Sequence, residues 1–192
     1  MFKNLMKGAA LVAILACSPA SANEFADGLN ALAKNQIKAF AQSADVVAAI
    51  KAQNAETAGY DEAEILKLDN KWRAEADADS QPMIDGVLAR PASEALAKIR
   101  EDSDGLYTEI FVMDAKGLNV AQSDPTSDYW QGDEAKWQKT YQVGPDAIHL
   151  SEVEEDESTQ TFQSQVSMSI TDPADGSVIG AITVGVNVEL LP

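Results

Sequence analysis

Two stretches near the C-terminus alternate with a period of two, and they constrain the fold more than anything else in the chain. Phe162, Ser164, Val166, Met168 and Ile170 interleave with Gln163, Gln165, Ser167 and Ser169. Val178, Ile182, Val184, Val186, Val188 and Leu190 fall on one face, opposite Ala181, Thr183, Gly185 and Asn187. A strand sends successive side chains to opposite faces, so both stretches read as strands with unlike faces. Asp172-Pro173-Ala174-Asp175-Gly176 between them is a turn. Upstream, Tyr107 to Met113 is rich in β-branched and aromatic residues, Asp114-Ala115-Lys116-Gly117 turns, and Leu118 to Ser123 returns, which makes a hairpin. With a further strand at Ala147 to Val153, a five-stranded antiparallel sheet is expected.

The two faces of that sheet predict a core and a room. The even-numbered face of the last strand is bulky and uniform, so it is core. The odd-numbered face is small and polar and lies beside a Gln/Ser face. Residues 124 to 145 form a long insertion, with a helical turn expected at Asp133 to Lys139, and are the natural cover for that second face. The patterning therefore supports a small, partly polar cavity between sheet and insertion.

The first half has a helical period. Phe25, Leu29, Leu32, Ile37, Phe40, Val47 and Ile50 recur at three- to five-residue steps, which predicts one long amphipathic helix over 24–57, ended by Gly59. Asp61 and Glu62 open a second helix whose apolar side is Ile65, Leu66, Leu68 and Trp72. A solvated break is expected at 76–80, and a third helix from Pro91 to Arg100, stopped by Gly105. The expected organisation is a helical segment over 23–105 and a sheet with its covering insertion over 106–192.

The leader and the charge bound the compartment. Residues 1–22 carry Lys3, Lys7 and no acid, then an apolar run from Gly8 to Ala16, then Ala20-Ser21-Ala22. This is the layout of a secretory signal peptide, and the apolar run is too short to span a bilayer. The expected location is periplasmic. A rival cut at Ile14-Leu15-Ala16-Cys17 would acylate Cys17 and make a lipoprotein. The chain has 14 basic and 31 acidic residues, a net charge of −17, and one cysteine. That excess repels nucleic acid and anionic membranes, and one cysteine rules out a disulfide framework.

The most informative cluster is Asp128-Tyr129-Trp130-Gln131-Gly132-Asp133-Glu134-Ala135-Lys136-Trp137, followed by Tyr141. Aromatic faces and carboxylates together suit a cationic or amine-bearing ligand. Tyr129, Trp130, Asp133, Trp137 and Tyr141 are therefore the candidate ligand-binding residues. The competing reading makes both tryptophans packing residues of the cover. Glu152, Glu154, Glu155, Asp156 and Glu157 form a second cluster, open to two readings: a solvated hairpin tip or a divalent-cation site. His149-x-x-Glu152 has a metal-like look, but on a strand positions three apart face opposite ways, so no chelate is expected. No Gly-x-Ser-x-Gly, nucleotide loop, His-Glu-x-x-His or cysteine nucleophile is present, so the chain is expected not to be an enzyme and to need no cofactor.

The order of these elements resembles the Cache family of extracytoplasmic sensor domains, also called PDC or PAS-like domains. The matching residues are Phe111-Val112-Met113-Asp114-x-x-Gly117, Ser164-x-x-Ser167-x-x-Ile170, Gly176-Ser177-Val178-Ile179-Gly180-Ala181-Ile182 and Leu68-Asp69-Asn70-Lys71-Trp72. The resemblance covers roughly residues 24 to 190. The arginine–tryptophan motif of the amino-acid-binding branch is not evident. The resemblance implies an α+β, PAS-like fold that binds a small molecule under the insertion and signals. Implied partners are a membrane histidine kinase, a chemoreceptor or a cyclic-dinucleotide enzyme, with the N-terminal helix placed to form a homodimer. The sequence stops at Pro192, where a receptor would enter its second membrane helix, so a free-standing sensor is expected. The alternative function is an acidic envelope protein that binds divalent cations or stabilises a protein complex, without an organic ligand.

Overall fold

The computed structural model describes residues 23–156 and 161–192. The expected signal peptide and Cys17 lie outside the described residues, as does Glu157 of the acidic cluster.

Helices come first. The stretch expected as one long helix is broken into α1 (Ala26–Leu32), a π-helical segment (Ala33–Ile37), α2 (Lys38–Ala41) and α3 (Ala44–Thr57). The break has a local cause. Ser43 is extended, and its Oγ accepts the Val46 amide at 3.4 Å, so it caps a new helix where the periodic pattern alone would run on. Asp61 caps α4 (Glu62–Ala76) in the same way through Glu64 N at 2.9 Å. The expected break at 76–80 is followed by a helix that the pattern did not reveal, α5 (Pro82–Leu88). Its start is held by buried Glu75, whose Oε2 accepts the Met83 and Ile84 amides. Helix α6 (Pro91–Glu101) opens on its proline as expected.

Among the described residues the sheet is antiparallel throughout and has six strands instead of five. They are β1 (Tyr107–Met113), β2 (Asn119–Gln122), β3 (Ile148–Leu150), β4 (Glu154–Asp156), β5 (Thr161–Thr171) and β6 (Val178–Asn187), in the order β2-β1-β6-β5-β3, with β4 also paired to β5. The expected strand over 147–153 divides into β3 and an irregular link, and the acidic stretch supplies the extra strand β4. In the insertion, α7 (Ala135–Gln138) is the one helical turn.

The even-numbered face carries the main core. Ile110, Val112, Val166, Met168, Ile170, Ile182, Val184 and Val186 pack against Leu29, Ile37, Val46, Ile50 and Leu96 from the helices. Burying this continuous apolar face is the main drive to fold. The odd-numbered face is the one the insertion covers. There Phe111, Met113 and Ala181 meet Trp137, with Tyr141 beside them. A third cluster lies between α4, α5 and the insertion, around Ile65, Trp72, Ile84, Val87, Leu118 and Tyr129.

Candidate ligand-binding site

Cross-strand partners share a face. Pairing runs Gln122–Phe111, Phe111–Thr183, Thr183–Ser167 and Ser167–His149. One row on the insertion face thus reads Gln122, Phe111, Thr183, Ser167, His149. Four of its five side chains are polar, and Gln122, Thr183 and Ser167 are fully buried. Ser167 and Thr183 share a 2.9 Å hydrogen bond between their hydroxyls. Both amide atoms of Gln122 and the hydroxyl of Ser169 are buried without a hydrogen-bond partner among the described residues. Buried polar groups cost free energy unless paired. Burial and the Lys139 charge together lower the His149 pKa from 6.5.

The insertion is fixed over this face by directional bonds. Asp69 on α4 is buried, and its Oδ1 accepts the amides of Tyr129 at 2.9 Å and Trp130 at 3.0 Å. Arg73, one turn on, joins Asp69 to Asp128. Burial, then the Glu134 charge, raises the Asp128 pKa, and Arg73 opposes the rise. On the other side the β1–β2 turn meets the insertion backbone. Gly117 has φ +82°, and a Cβ there would lie 2.5 Å from Gly132 Cα, so only glycine fits at this contact. Trp137 Nε1 donates to Asp114 O at 3.1 Å. The Asp114 carboxylate is fully buried and accepts from Lys116 N, Leu118 N, Gln53 Nε2 and Thr57 Oγ1. Asp114 is therefore the joint between the insertion, the hairpin and α3.

A cavity of about 280 Å³ opens where the insertion meets the far end of the polar face, lined by Glu134, Lys136, Ser151, Glu154, Gln163 and Gln165. Lys136 pairs with Glu134 at 2.9 Å, donates to Gln131 Oε1 at 3.2 Å, and lies 5.3 Å from the Phe111 ring centre. Gln165 Nε2 donates to Glu109 at 2.8 Å, and Thr108 Oγ1 donates to Gln163 Oε1 at 2.6 Å. Gly185 lies under these chains; a Cβ there would collide with Thr108 Oγ1 and Glu109. The lining offers carboxylates, amides and one ammonium already matched by Glu134.

The five candidate residues take different places. Tyr129 stacks on Trp72, with ring centres 5.3 Å apart, and burial raises its hydroxyl pKa to about 12. Trp130 is half-buried, and its Nε1 donates to Lys116 O at 2.9 Å. Asp133 is exposed. Trp137 stacks on Tyr141 at 4.9 Å, and the pair belongs to the cluster on the sheet. None of the five lines the 280 Å³ cavity; their neighbours Glu134 and Lys136 do. Of the sheet residues in the lining, Gln163 and Gln165 belong to the Gln/Ser face seen in the alternation. Ser151 lies in the expected strand over 147–153 and Glu154 in the acidic cluster, neither of which reads in the sequence as part of an organic-ligand site. Among the described residues, no group of three or more His, Cys, Asp or Glu side chains is gathered to hold a metal ion. Among the same residues, no helix is long and apolar enough to cross a membrane.

No family model and no curated protein sequence matches the chain. Solved structures similar to it include the sensor domain of Escherichia coli DcuS, at 11% identity and a TM-score of 0.48, covering 86% of this chain and 95% of that one. A second is the ligand-binding domain of the Campylobacter jejuni chemoreceptor Tlp3, in complex with 4-methylisoleucine, at 13% identity and a TM-score of 0.40, with 86% of this chain and 57% of that one covered. A third is the sensor domain of the Vibrio cholerae histidine kinase DctB, at 14% identity and a TM-score of 0.38, covering 86% and 58%. The chain thus spans little more than half the length of the Tlp3 and DctB domains. These are sensory or ligand-binding domains, the type that the sequence resemblance implied. At these identities and TM-scores no ligand, partner or residue role is carried over from them.

Proposed function

We propose that this chain is an exported, non-enzymatic sensor domain that binds a small amine-bearing molecule between its sheet and its insertion. One observation carries the reading: the covered sheet face sets polar residues on four of the five strands in one row, three of them fully buried, and ends in a cavity walled jointly by sheet and insertion. A face that only had to be covered would be cheaper as an apolar one. At about 280 Å³ the cavity sits just below the usual range for small-molecule sites, about 300–1,000 Å³. Two carboxylates against one already paired ammonium favour a cation. In this reading Glu134, Glu154 and Gln165 meet the ligand. Trp137 and Tyr141, packed on the sheet behind the lining residues Glu134 and Lys136, shift with the insertion, Asp133 stays on its solvent side, and Tyr129 and Trp130 tie it to α4.

The signal leaves through Asp114. A ligand that prefers one position of Trp137 biases the hydrogen bond to Asp114, and through it Gln53 and Thr57 on α3. The receiver in this proposal is a membrane signalling protein, a histidine kinase, chemoreceptor or cyclic-dinucleotide enzyme, met in the periplasm. The test is a thermal-shift panel of small primary and quaternary amines on residues 23–192, with carboxylates and Ca²⁺ as controls. Saturation at 100-fold over Kd adds about 2.7 kcal/mol, a shift of several degrees. Glu134→Gln and Gln165→Leu should each remove an amine shift while keeping the unliganded melting point. A shift with Ca²⁺ alone would reject the organic-ligand reading.

A further inference from the structure

We propose that the groove between α3 and α6, on the opposite side of the sheet from the insertion, is a second ligand site that takes a small aliphatic monocarboxylate. The groove encloses about 430 Å³ and is floored by Ala48, Ala49, Ala52, Pro91, Ala92 and Val120. Arg90 is the one cation among the described residues that line it. That guanidinium is half-buried, and its Nη1 donates at 2.7 Å both to Gln53 Oε1 and to Val120 O. Gln53 is itself buried and held by its own amide bonds to Asp114 Oδ2, Leu118 O and Asn119 O. Arg90 is thus preorganised from behind, so little side-chain entropy remains to be lost on binding. Yet it forms no ion pair among the described residues. An arginine held in a groove by neutral partners, among them the Tyr129 hydroxyl, and paired with no acid presents a planar fork suited to a carboxylate. Arg90 also stands at the N-cap position of α6 without a side-chain capping bond, and the positive end of that helix adds to the attraction.

The rest of the groove sets the size and charge of the ligand. Small alanine side chains leave a shallow apolar floor, which suits a short alkyl chain. Asp45 and Glu56 also line the groove and are both exposed. Solvent screens them, so one ligand carboxylate on Arg90 is tolerated, whereas a second negative charge would face them without a partner. The groove should therefore accept a monocarboxylate and refuse a dicarboxylate. This inference is independent of the amine site, since the two share no lining residue.

The test is a titration of ¹⁵N-labelled residues 23–192 with butyrate, succinate and butylamine in separate experiments, followed by amide and Arg90 Nε resonances. Butyrate should move Ala49, Ala52, Ala92 and Arg90 together in a saturable way, and succinate should not. Arg90→Lys should weaken butyrate about tenfold through loss of the fork. Because that variant also loosens the Val120 carbonyl, Ala52→Trp provides a second probe: it fills the groove from an exposed position and should abolish the response with the fold intact. Glu134→Gln should leave it unchanged. Equal responses to succinate and butyrate, or a butyrate response that survives Ala52→Trp, would overturn the proposal. So would groove resonances that move with protein concentration and ignore butyrate, which would make the groove a contact between copies.

Discussion

The two faces of this sheet are built on opposite principles. The even face is apolar along β1, β5 and β6 and is closed by the amphipathic helices, so its cohesion is non-directional and area-driven. The odd face carries Gln, Ser, Thr and His, and its cover is held by named bonds: Asp69 to two insertion amides, Trp137 to Asp114, and Gly117 against Gly132. A close-packed apolar face resists cavities and holds its shape. A bonded cover either keeps its geometry or loses it. That difference is what a domain needs if one side must stay rigid while the other responds to a ligand.

Substitutions can break the contrast, and the largest effect belongs where the two sides meet. Asp114→Ala orphans the Lys116 and Leu118 turn amides, while Gln53 and Thr57 keep their bonds to backbone carbonyls; each orphan costs about 1–3 kcal/mol, so a loss of about 4 kcal/mol is expected in denaturant unfolding. On the even face, Ile182→Ala removes fully buried methyl groups and should cost about 3 kcal/mol, within the span for such cavities. On the odd face the sign reverses. Gln122→Leu replaces a buried, unpartnered amide and should stabilise by about 1 kcal/mol, read as a raised denaturation midpoint with unchanged slope. A destabilising Gln122→Leu would mean that this face is not polar at a cost.

The smallest effect is one of pH. The folded pKa of His149 lies below 6.5 because of burial and Lys139. As pH falls through 6.5 the unfolded chain takes up the proton first, so stability declines from there down to the folded pKa and then levels off. His149→Gln should flatten that step, seen by comparing melting temperatures at pH 7.5 and at acid pH.

Much of this contrast was legible in the sequence, because alternation reports which residues share a face. Strands β1, β2, β3, β5 and β6, their turns, the small polar face and the covering insertion follow from period and from Gly, Asp and Pro placement. The broken helix was not legible: Ser43 sits in an apolar period that continues past it, and only its extended backbone reveals the cap. Helix α5 is short, and its start depends on Glu75, contributed from the helix before. The fourth strand is a run of acids whose pairing with β5 no local propensity announces. The site was partly legible for a different reason. A tryptophan in a cover can face a ligand or a core, and sequence period cannot decide between them in an irregular loop. Trp137 packs on Phe111 and Met113, while Lys136 and Glu134 beside it reach the cavity.

The central claim is that ligand response belongs to the odd face. Met113 lies on that face beside Trp137, and Met168 lies on the even face in the core. Methyl-labelled methionine NMR of residues 23–192, titrated with the amine panel, reads both faces in one experiment. The account predicts that an amine which stabilises the protein moves the Met113 methyl and leaves Met168 in place. A stabilising amine that moves Met168 while Met113 stays fixed would contradict it.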